Sequence, residues 1–276
     1  MSRRLAMGPA LLFCPGDRPD RFQKAADRAD AVILDLEDAV GPDAKDAARA
    51  AIVAAELDPQ RTVVRVQARG AAGFRDDLAA VAASPFRTVM LAKAEAPEEI
   101  DAIVEAVPGT RVIALLETAR GVLAAEAIAD HGAVVGLMWG AEDLVASMGG
   151  TSSRGEDGAY RDVAVHARSR VLLAATAFGK TAIDAIRTDI ADVEGAHAEA
   201  LDAAASGFGA KACIHPGHVE PYRRAFAPTA EQLDEARRIL AAAEGTSGVF
   251  SFEGRMVDEP ILRHARSVVA RAGSAT

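Results

Sequence analysis

The amino-acid sequence predicts an α/β protein, a (β/α)8 TIM barrel with a C-terminal helical lid extension. Three observations lead there. Eight short apolar runs recur along the chain, alanine-rich segments with helical spacing alternate with them, and the runs themselves are nearly continuous Val, Ile and Leu. Strands of that last kind belong to parallel sheets covered on both faces. Eight of them alternating with helices favour a closed barrel, with an open doubly wound sheet as the main alternative.

Taken in order, LLFCPG (11–16) leads into the helix-like RPDRFQKAADRA, and VILDLED (32–38) into AKDAARAAIVAA. TVVRVQA (62–68) and TVMLAKA (88–94) follow, and PEEIDAIVEAV joins the latter to VIALLET (112–118). GVLAAEAIAD then precedes AVVGLMWG (133–140). The one long gap, 141–180, holds the polar GGTSSRGEDGAY and the apolar helix YRDVAVHARSRVLLAATAFG, before TAIDAI (181–186) and KACIHP (211–216). Residues 1–228 are thus assigned to the barrel. Residues 229–276 form the extension, with a helix-like TAEQLDEARRILAAAE and the tail VFSFEGRMVDEPILRHARSVVARAG. That tail is too short for an independent core and is expected to pack on the barrel or on a neighbouring subunit.

A chain of 276 residues with 50% hydrophobic and 26% charged residues suits one large soluble domain. Its net charge of −9 argues against unaided binding to nucleic acid or to an acidic membrane. An anionic substrate therefore needs local cations or a metal. Cys14 and Cys213 both lie in apolar runs and read as reduced core residues. The N-terminus makes a poor signal-peptide core and no stretch is long enough to span a bilayer, so a cytoplasmic enzyme is expected.

Unusual side chains gather at one end of the runs. Asp35, Glu37 and Asp38 close the second, Arg65 lies late in the third, Lys93 ends the fourth and Glu117 the fifth. Glu142 and Asp143 follow the sixth, Asp184 sits in the seventh and His215 ends the eighth. Barrel enzymes keep their chemistry at the carboxyl ends of the strands. Three carboxylates cannot all stay ionised in a dry site without a cation among them, either Arg65 or a divalent ion. Glu117 and Asp143 are hard oxygen donors suited to Mg²⁺ or Mn²⁺, with water and substrate completing the octahedron. Asp35, Glu37 and Asp38 then accept hydrogen bonds from metal-bound water, unless Asp35 or Asp38 caps the next helix. His215 and His218 lack a third nitrogen or sulfur ligand for zinc. GFGAK (207–211) enters a strand rather than a helix, which is poor for a phosphate loop, and GGTSSRG reads equally as a surface loop.

Together the segments resemble the HpcH/HpaI aldolase–citrate lyase family, in its citrate lyase β-like, CoA-ester lyase branch. The matching stretches LLFCPGDRPDR, VILDLEDAV, VVRVQA, ALLETARGV, WGAEDL, KACIHPGHV and GRMVDEPIL keep the family's order and span nearly the whole chain. The resemblance implies a Mg²⁺-dependent barrel, assembled as a homotrimer or hexamer, that cleaves 3-hydroxyacyl-CoA thioesters of the malyl-, citramalyl- or hydroxymethylglutaryl-CoA type. The products are acetyl-CoA and a keto acid, by retro-Claisen chemistry. It implies metal ligands at Glu117 and Asp143, with Arg65 beside Glu117 in contact with the reacting oxygens. Glu37 and Asp38 fall where metal-bound water is ordered. Asp258 of MVDEP falls in a lid that reaches a neighbouring subunit's site as acid or base. From its own sequence context Asp258 reads as the N-cap of the last helix, with Pro260 in the first turn.

This chain has Gln67 where the family usually has Asn, which is expected to alter the acyl pocket. It also has Ala92 where proline is common and His218 where glutamine is commoner. GPALLF lacks the arginine usual before the first strand, a change expected to affect contacts to the CoA end. Rival readings are a class II-type aldolase on free hydroxy-keto acids and a citrate lyase β subunit acting on an acyl-carrier partner. A metabolite-sensing barrel is a third, against which intact Arg65, Glu117 and Asp143 weigh.

Overall fold

The structure is a computed structural model that describes residue 5, residues 7–244 and residues 248–273. β1 (Ala10–Pro15) leads to α1 (Pro19–Arg28), β2 (Ala31–Asp35) to α2 (Lys45–Val53), β3 (Thr62–Val66) to α3 (Phe74–Ala83), and β4 (Thr88–Leu91) to α4 (Pro97–Ala106). β5 (Arg111–Leu116) is followed by the short α5 (Ala119–Leu123) and α6 (Ala125–Asp130), and β6 (Val134–Trp139) by α7 (Ala141–Ser147) and α8 (Asp162–Ala177). β7 (Thr181–Asp184) precedes α9 (Val193–Ser206), and β8 (Ala210–Cys213) precedes α10 (Val219–Phe226). The eight strands are parallel and close into a barrel in sequence order, β8 pairing with β1. GVLAAEAIAD, read as one helix, is two, because Ala124 leaves helical geometry at φ −96°, ψ 6°. GFGAK is a helix end rather than a phosphate loop: Gly207 caps α9 at φ 108°, a conformation glycine adopts without strain.

Side-chain parity along the strands positions the site. Leu11, Ile33, Val63, Met90, Ile113, Leu115, Met138 and Ile183 pack together inside the barrel. Their neighbours Leu12, Leu34, Val64, Leu91, Ala114 and Trp139 pack outward against the helices. Since side chains alternate along a strand, Asp35, Arg65 and Glu117 share the inward parity of Ile33, Val63 and Leu115. They continue the inner core to the carboxyl-terminal mouth.

Asp184 has the opposite parity from Ile183, and so does not join the ring of charge expected at the mouth. It faces the helices, fully buried, where its carboxylate accepts from Trp139 Nε1 (2.7 Å), Arg168 Nε (2.9 Å) and Lys211 Nζ (2.9 Å). Burial pushes this carboxyl up, but Lys211 and Arg168 hold it below the usual carboxylate range. The group is a structural knot between the barrel wall and α8.

Beyond α10 the chain forms α11 (Ala230–Ala243), a hairpin of β9 (Phe250–Phe252) and β10 (Arg255–Val257), and α12 (Glu259–Gly273). Thr229 and Gln232 close a capping box on α11. The hairpin turns through Glu253 (φ 49°) and Gly254 (φ 76°), the two positive φ angles that a two-residue turn matching strand twist requires. The tail has no core of its own but packs on α11: Val257, Leu262, Ala265 and Val268 join Ala236 and Ile239 of that helix in a small cluster. Among the described residues no helix is long and apolar enough to cross a membrane.

Asp184→Ala should cost about 3–5 kcal/mol, because it removes the buried counter-charge of Lys211 and Arg168 and leaves them Glu199 at 3.6 Å and the exposed Asp202 at 2.7 Å, respectively. Urea denaturation checks this; a cost below about 1 kcal/mol would show the knot to be dispensable.

Candidate active site

The strand register sets Asp35 directly beside Arg65. Arg65 grips both oxygens of Asp35, Nε to Oδ1 and Nη2 to Oδ2, each at 2.6 Å, and its Nη1 lies 3.1 Å from Glu37 Oε2. Asp35 also accepts the backbone N–H groups of Glu37 (2.9 Å) and Ala39 (3.1 Å). It thus caps the turn after β2 rather than a helix, and its acceptors are taken by protein groups rather than metal-bound water. The guanidinium carbon lies 4.9 Å from the centre of the Phe13 ring, a cation–π distance. Burial works against the Arg65 charge, but Asp35 and Glu37 raise its pKa above the ordinary value, so it stays cationic.

Glu37 is held from several sides. Its Oε1 accepts from Lys93 Nζ and its Oε2 from the Asp38 backbone N–H (3.0 Å). Lys93 Nζ also reaches Asp38 Oδ2 at 3.2 Å and Asp143 Oδ1 at 3.5 Å. Burial raises the Glu37 carboxyl, with Arg65 and Lys93 pulling it back. At Asp38, burial is outweighed by Lys93, which holds the carboxyl below its usual value. Behind the turn, Lys45 donates to the carbonyls of Leu36 and Glu37, both at 2.6 Å. A cation in the first turn of α2 opposes the helix dipole; these two carbonyls are what it serves.

Glu117 ends β5 and is buried, 3% exposed, with Oε1 accepting the Lys93 backbone N–H at 3.1 Å. Its pKa is pushed up to about 8, first by burial and then by the charge of Asp143, against the pull of Arg65 and Lys93. A Cβ on Gly140 would lie 2.7 Å from Glu117 Oε2, so glycine there leaves the carboxylate its place. Asp143 stands in the first turn of α7. Arg65, Glu117, Asp143 and Glu142 line one cavity of about 130 Å³ whose apolar wall includes Phe13, Leu115, Met138, Ile186 and Ile214.

A buried carboxylate, Glu117, whose ionisation is further opposed by the charge of Asp143 fits a divalent cation. Among the described residues no group of three or more His, Cys, Asp or Glu is placed to enclose an ion. A cation here would thus draw on Glu117 and Asp143, with solvent and substrate oxygens completing its shell, as Mg²⁺ or Mn²⁺ allows.

The other sequence candidates have other partners. Glu142 accepts from Ser153 Oγ at 2.7 Å and so tethers the loop before α8. His215 Nδ1 accepts the Gly217 N–H at 3.1 Å, and the rings of His215 and His218 are 6.2 Å apart, with no ligand pair formed. Gln67 does not reach the cavity: its backbone and side-chain nitrogens both donate to buried Asp77, at 3.0 and 2.9 Å. Asp258 is far along the chain, in the extension, and does not line this cavity; it accepts the Ile261 N–H at 3.4 Å as the start of α12. Sequence reasoning missed Lys93 as the cation among the acids and missed Lys45 altogether. The signal for Lys45 was a lysine in a helix's first turn.

The HpcH/HpaI aldolase/citrate lyase family model matches residues 10–216. The chain belongs to this family. A second model, a C–C bond lyase of the TIM-barrel fold, matches residues 162–274 and so includes the extension. This member of the lyase family is 55% identical over 271 residues to a citrate lyase subunit beta-like protein of Mycobacterium tuberculosis, covering 98% of each chain. It is 31% identical to the mitochondrial citramalyl-CoA lyase of Homo sapiens, covering 96% of this chain and 85% of that one. The crystal structure of protein CitE from Mycobacterium tuberculosis in complex with magnesium, acetoacetate and coenzyme A superposes with a TM-score of 0.91 at 54% identity, over 97% of this chain and 99% of that chain.

The raised Glu117 pKa gives a signed prediction. Between the ordinary value of 4.5 and about 8 the folded state binds a proton that the unfolded state has released. Stability should therefore fall as pH rises through that window, by a few kcal/mol at most (on the order of 1.4 kcal/mol per pH unit). In EDTA, Glu117→Gln should remove most of this loss, measured by denaturant unfolding from pH 5 to 8.5. Parallel curves for the two proteins would contradict the assignment.

Proposed function

We propose that this lyase cleaves a 3-hydroxyacyl-CoA thioester at the barrel mouth, with Glu117 and Asp143 holding Mg²⁺ or Mn²⁺, to give acetyl-CoA and a keto acid. One observation carries the reading: Arg65, locked by Asp35, faces the same small cavity as Asp143 and the buried Glu117, whose ionisation Asp143 opposes. The complex of the Mycobacterium tuberculosis protein with magnesium, acetoacetate and coenzyme A, and the name of the human relative, support it from outside.

When bound, the cation supplies Lewis acidity to the hydroxyl and carboxylate oxygens of a malyl- or citramalyl-like acyl group. The remaining work falls to the protein. A guanidinium has five N–H donors, and Asp35 takes two of those on Arg65. Of the other three, the Nη1 pair also lies near Glu37 Oε2 at 3.1 Å, and the donors not engaged there would meet the thioester oxygen as negative charge builds on it during C–C cleavage. Because Asp35 fixes the ring plane beforehand, this stabilisation costs little reorganisation. Glu37 and Asp38, fixed by Lys93, stand beside the cavity as acceptors that order water. The apolar wall of Phe13, Leu115, Met138, Ile186 and Ile214 keeps bulk water from the reacting carbon.

Asp258 enters only in an assembly. The extension of one copy would place it over the cavity of a neighbour in a homotrimer or hexamer, where its carboxylate would take the substrate's hydroxyl proton as the C–C bond breaks and return it to the departing enolate carbon. Its side-chain hydrogen bond to the Ile261 N–H is long, at 3.4 Å, and leaves acceptor capacity. Residues 1–228 would then be the catalytic barrel and 229–276 a lid given in trans.

Purified protein should cleave at least one of malyl-, citramalyl- and hydroxymethylglutaryl-CoA in the presence of Mg²⁺, with acetyl-CoA released. Glu117→Ala and Asp143→Ala should abolish turnover, and Arg65→Met should lower kcat about 10²–10³-fold. Asp258→Asn should lose rate while retaining Mg²⁺ binding. Unchanged turnover in either metal-ligand variant would overturn the metal assignment. Cleavage of free hydroxy-keto acids alone would favour the aldolase reading, and activity only with an acyl-carrier partner the citrate lyase β reading.

A further inference from the structure

Lys93 is the residue at which the acids of the mouth meet. Its backbone N–H holds Glu117 Oε1 (3.1 Å), and its ammonium lies on Glu37, Asp38 (3.2 Å) and Asp143 (3.5 Å). One residue after β4 thus touches carboxylates presented by the ends of β2 and β6 through its side chain and that of β5 through its backbone. The geometry is costly: Lys93 has φ 50°, one of two left-handed non-glycine residues among those described, in a region that L side chains occupy at a steric penalty. Neither contact by itself requires it. A glycine would deliver the same backbone N–H without strain.

The charge count gives the pairing a purpose. Asp35, Glu37, Asp38, Glu117, Glu142 and Asp143 stand around the mouth, and among the described residues Arg65 and Lys93 are the cations paired with them. Arg65 is neutralised by Asp35, to which it is bound through Nε and Nη2. Lys93 is therefore the charge that sets the balance around Glu117 and Asp143. Less positive charge there strengthens the grip on a dication and repels an anionic acid; more does the opposite.

We propose that Lys93 is a positioning and charge-balancing residue, which orients Glu117 through its backbone and lowers the site's negative charge through its ammonium so that a divalent cation and a keto-acid anion bind together. This rests on the metal site proposed above. The test is calorimetric and needs no turnover. Mg²⁺ is titrated into wild type, Lys93→Met, Lys93→Gly and Lys93→Arg, and pyruvate is then titrated into each at saturating Mg²⁺.

Lys93→Met should bind Mg²⁺ more tightly, by up to about tenfold, and pyruvate more weakly by a similar factor, the scale for one unit charge at several Å in a wet site. Lys93→Gly should show the same opposed shifts and a melting temperature at least that of Lys93→Met, because it sheds the left-handed strain. Lys93→Arg should stay near wild type. A merely structural lysine would weaken both ligands when removed. If the two affinities of Lys93→Met move in the same direction, or do not move, the inference is overturned while the metal site stands. If wild-type protein takes up no Mg²⁺, the metal site itself falls and this inference with it.

Discussion

The bidentate contact between Arg65 and Asp35 is the interaction on which the rest of the mouth depends. Both residues are inward-facing on neighbouring strands, both are removed from water, and neither could be charged there alone at acceptable cost. Paired, they leave a rigid guanidinium with donors to spare, aimed into a cavity. Asp35 does more than balance charge. By accepting the N–H groups of Glu37 and Ala39 it also shapes the turn that presents Glu37 and Asp38. The run of acids after an apolar strand is thus a division of labour: Asp35 is structural, and Glu37 and Asp38 are displayed.

Charge is the second theme. The protein is acidic overall, and its mouth is acidic locally, yet the proposed substrates are anions. Selectivity for them must come from fixed cations and from a bound dication rather than from the long-range field. Burial makes Glu117 reluctant to ionise, and a dication reverses that preference. The same low-dielectric setting that penalises the isolated carboxylate strengthens its hold on an ion. The site's polar groups are accordingly well anchored: Lys45 braces the turn, Lys93 the carboxylates, Gly140 the space beside Glu117.

Much of this was legible in the sequence. The eight strands could be read because a parallel barrel demands apolar runs on both faces, and the inward residues Asp35, Arg65 and Glu117 interrupt those runs only at their ends. Parity along TAIDAI also contained the fate of Asp184, since Ile183 faces inward and its neighbour must face out. Lys93 was harder. It lies beyond the last paired residue of β4, where a left-handed backbone breaks the alternation that parity reasoning uses. Gln67 likewise leaves the strand at Val66 and is captured by Asp77 on α3, a contact between elements that no local pattern encodes. Asp258 is different in kind. Its local context as a helix cap was readable and is present, whereas any catalytic role lies on another copy's surface.

The most direct measurement is anomalous diffraction from crystals grown with Mn²⁺ and pyruvate. A single peak is predicted beside the mouth, at about 2.0–2.2 Å from a carboxylate oxygen of Glu117 and one of Asp143. Glu117 Oε2 is the expected donor, since Lys93 holds Oε1. Pyruvate oxygens and water should fill the other positions, with Arg65 still clamped on Asp35. A map with no peak there, or with an ion bound elsewhere and Glu117 and Asp143 uncoordinated, would contradict the account.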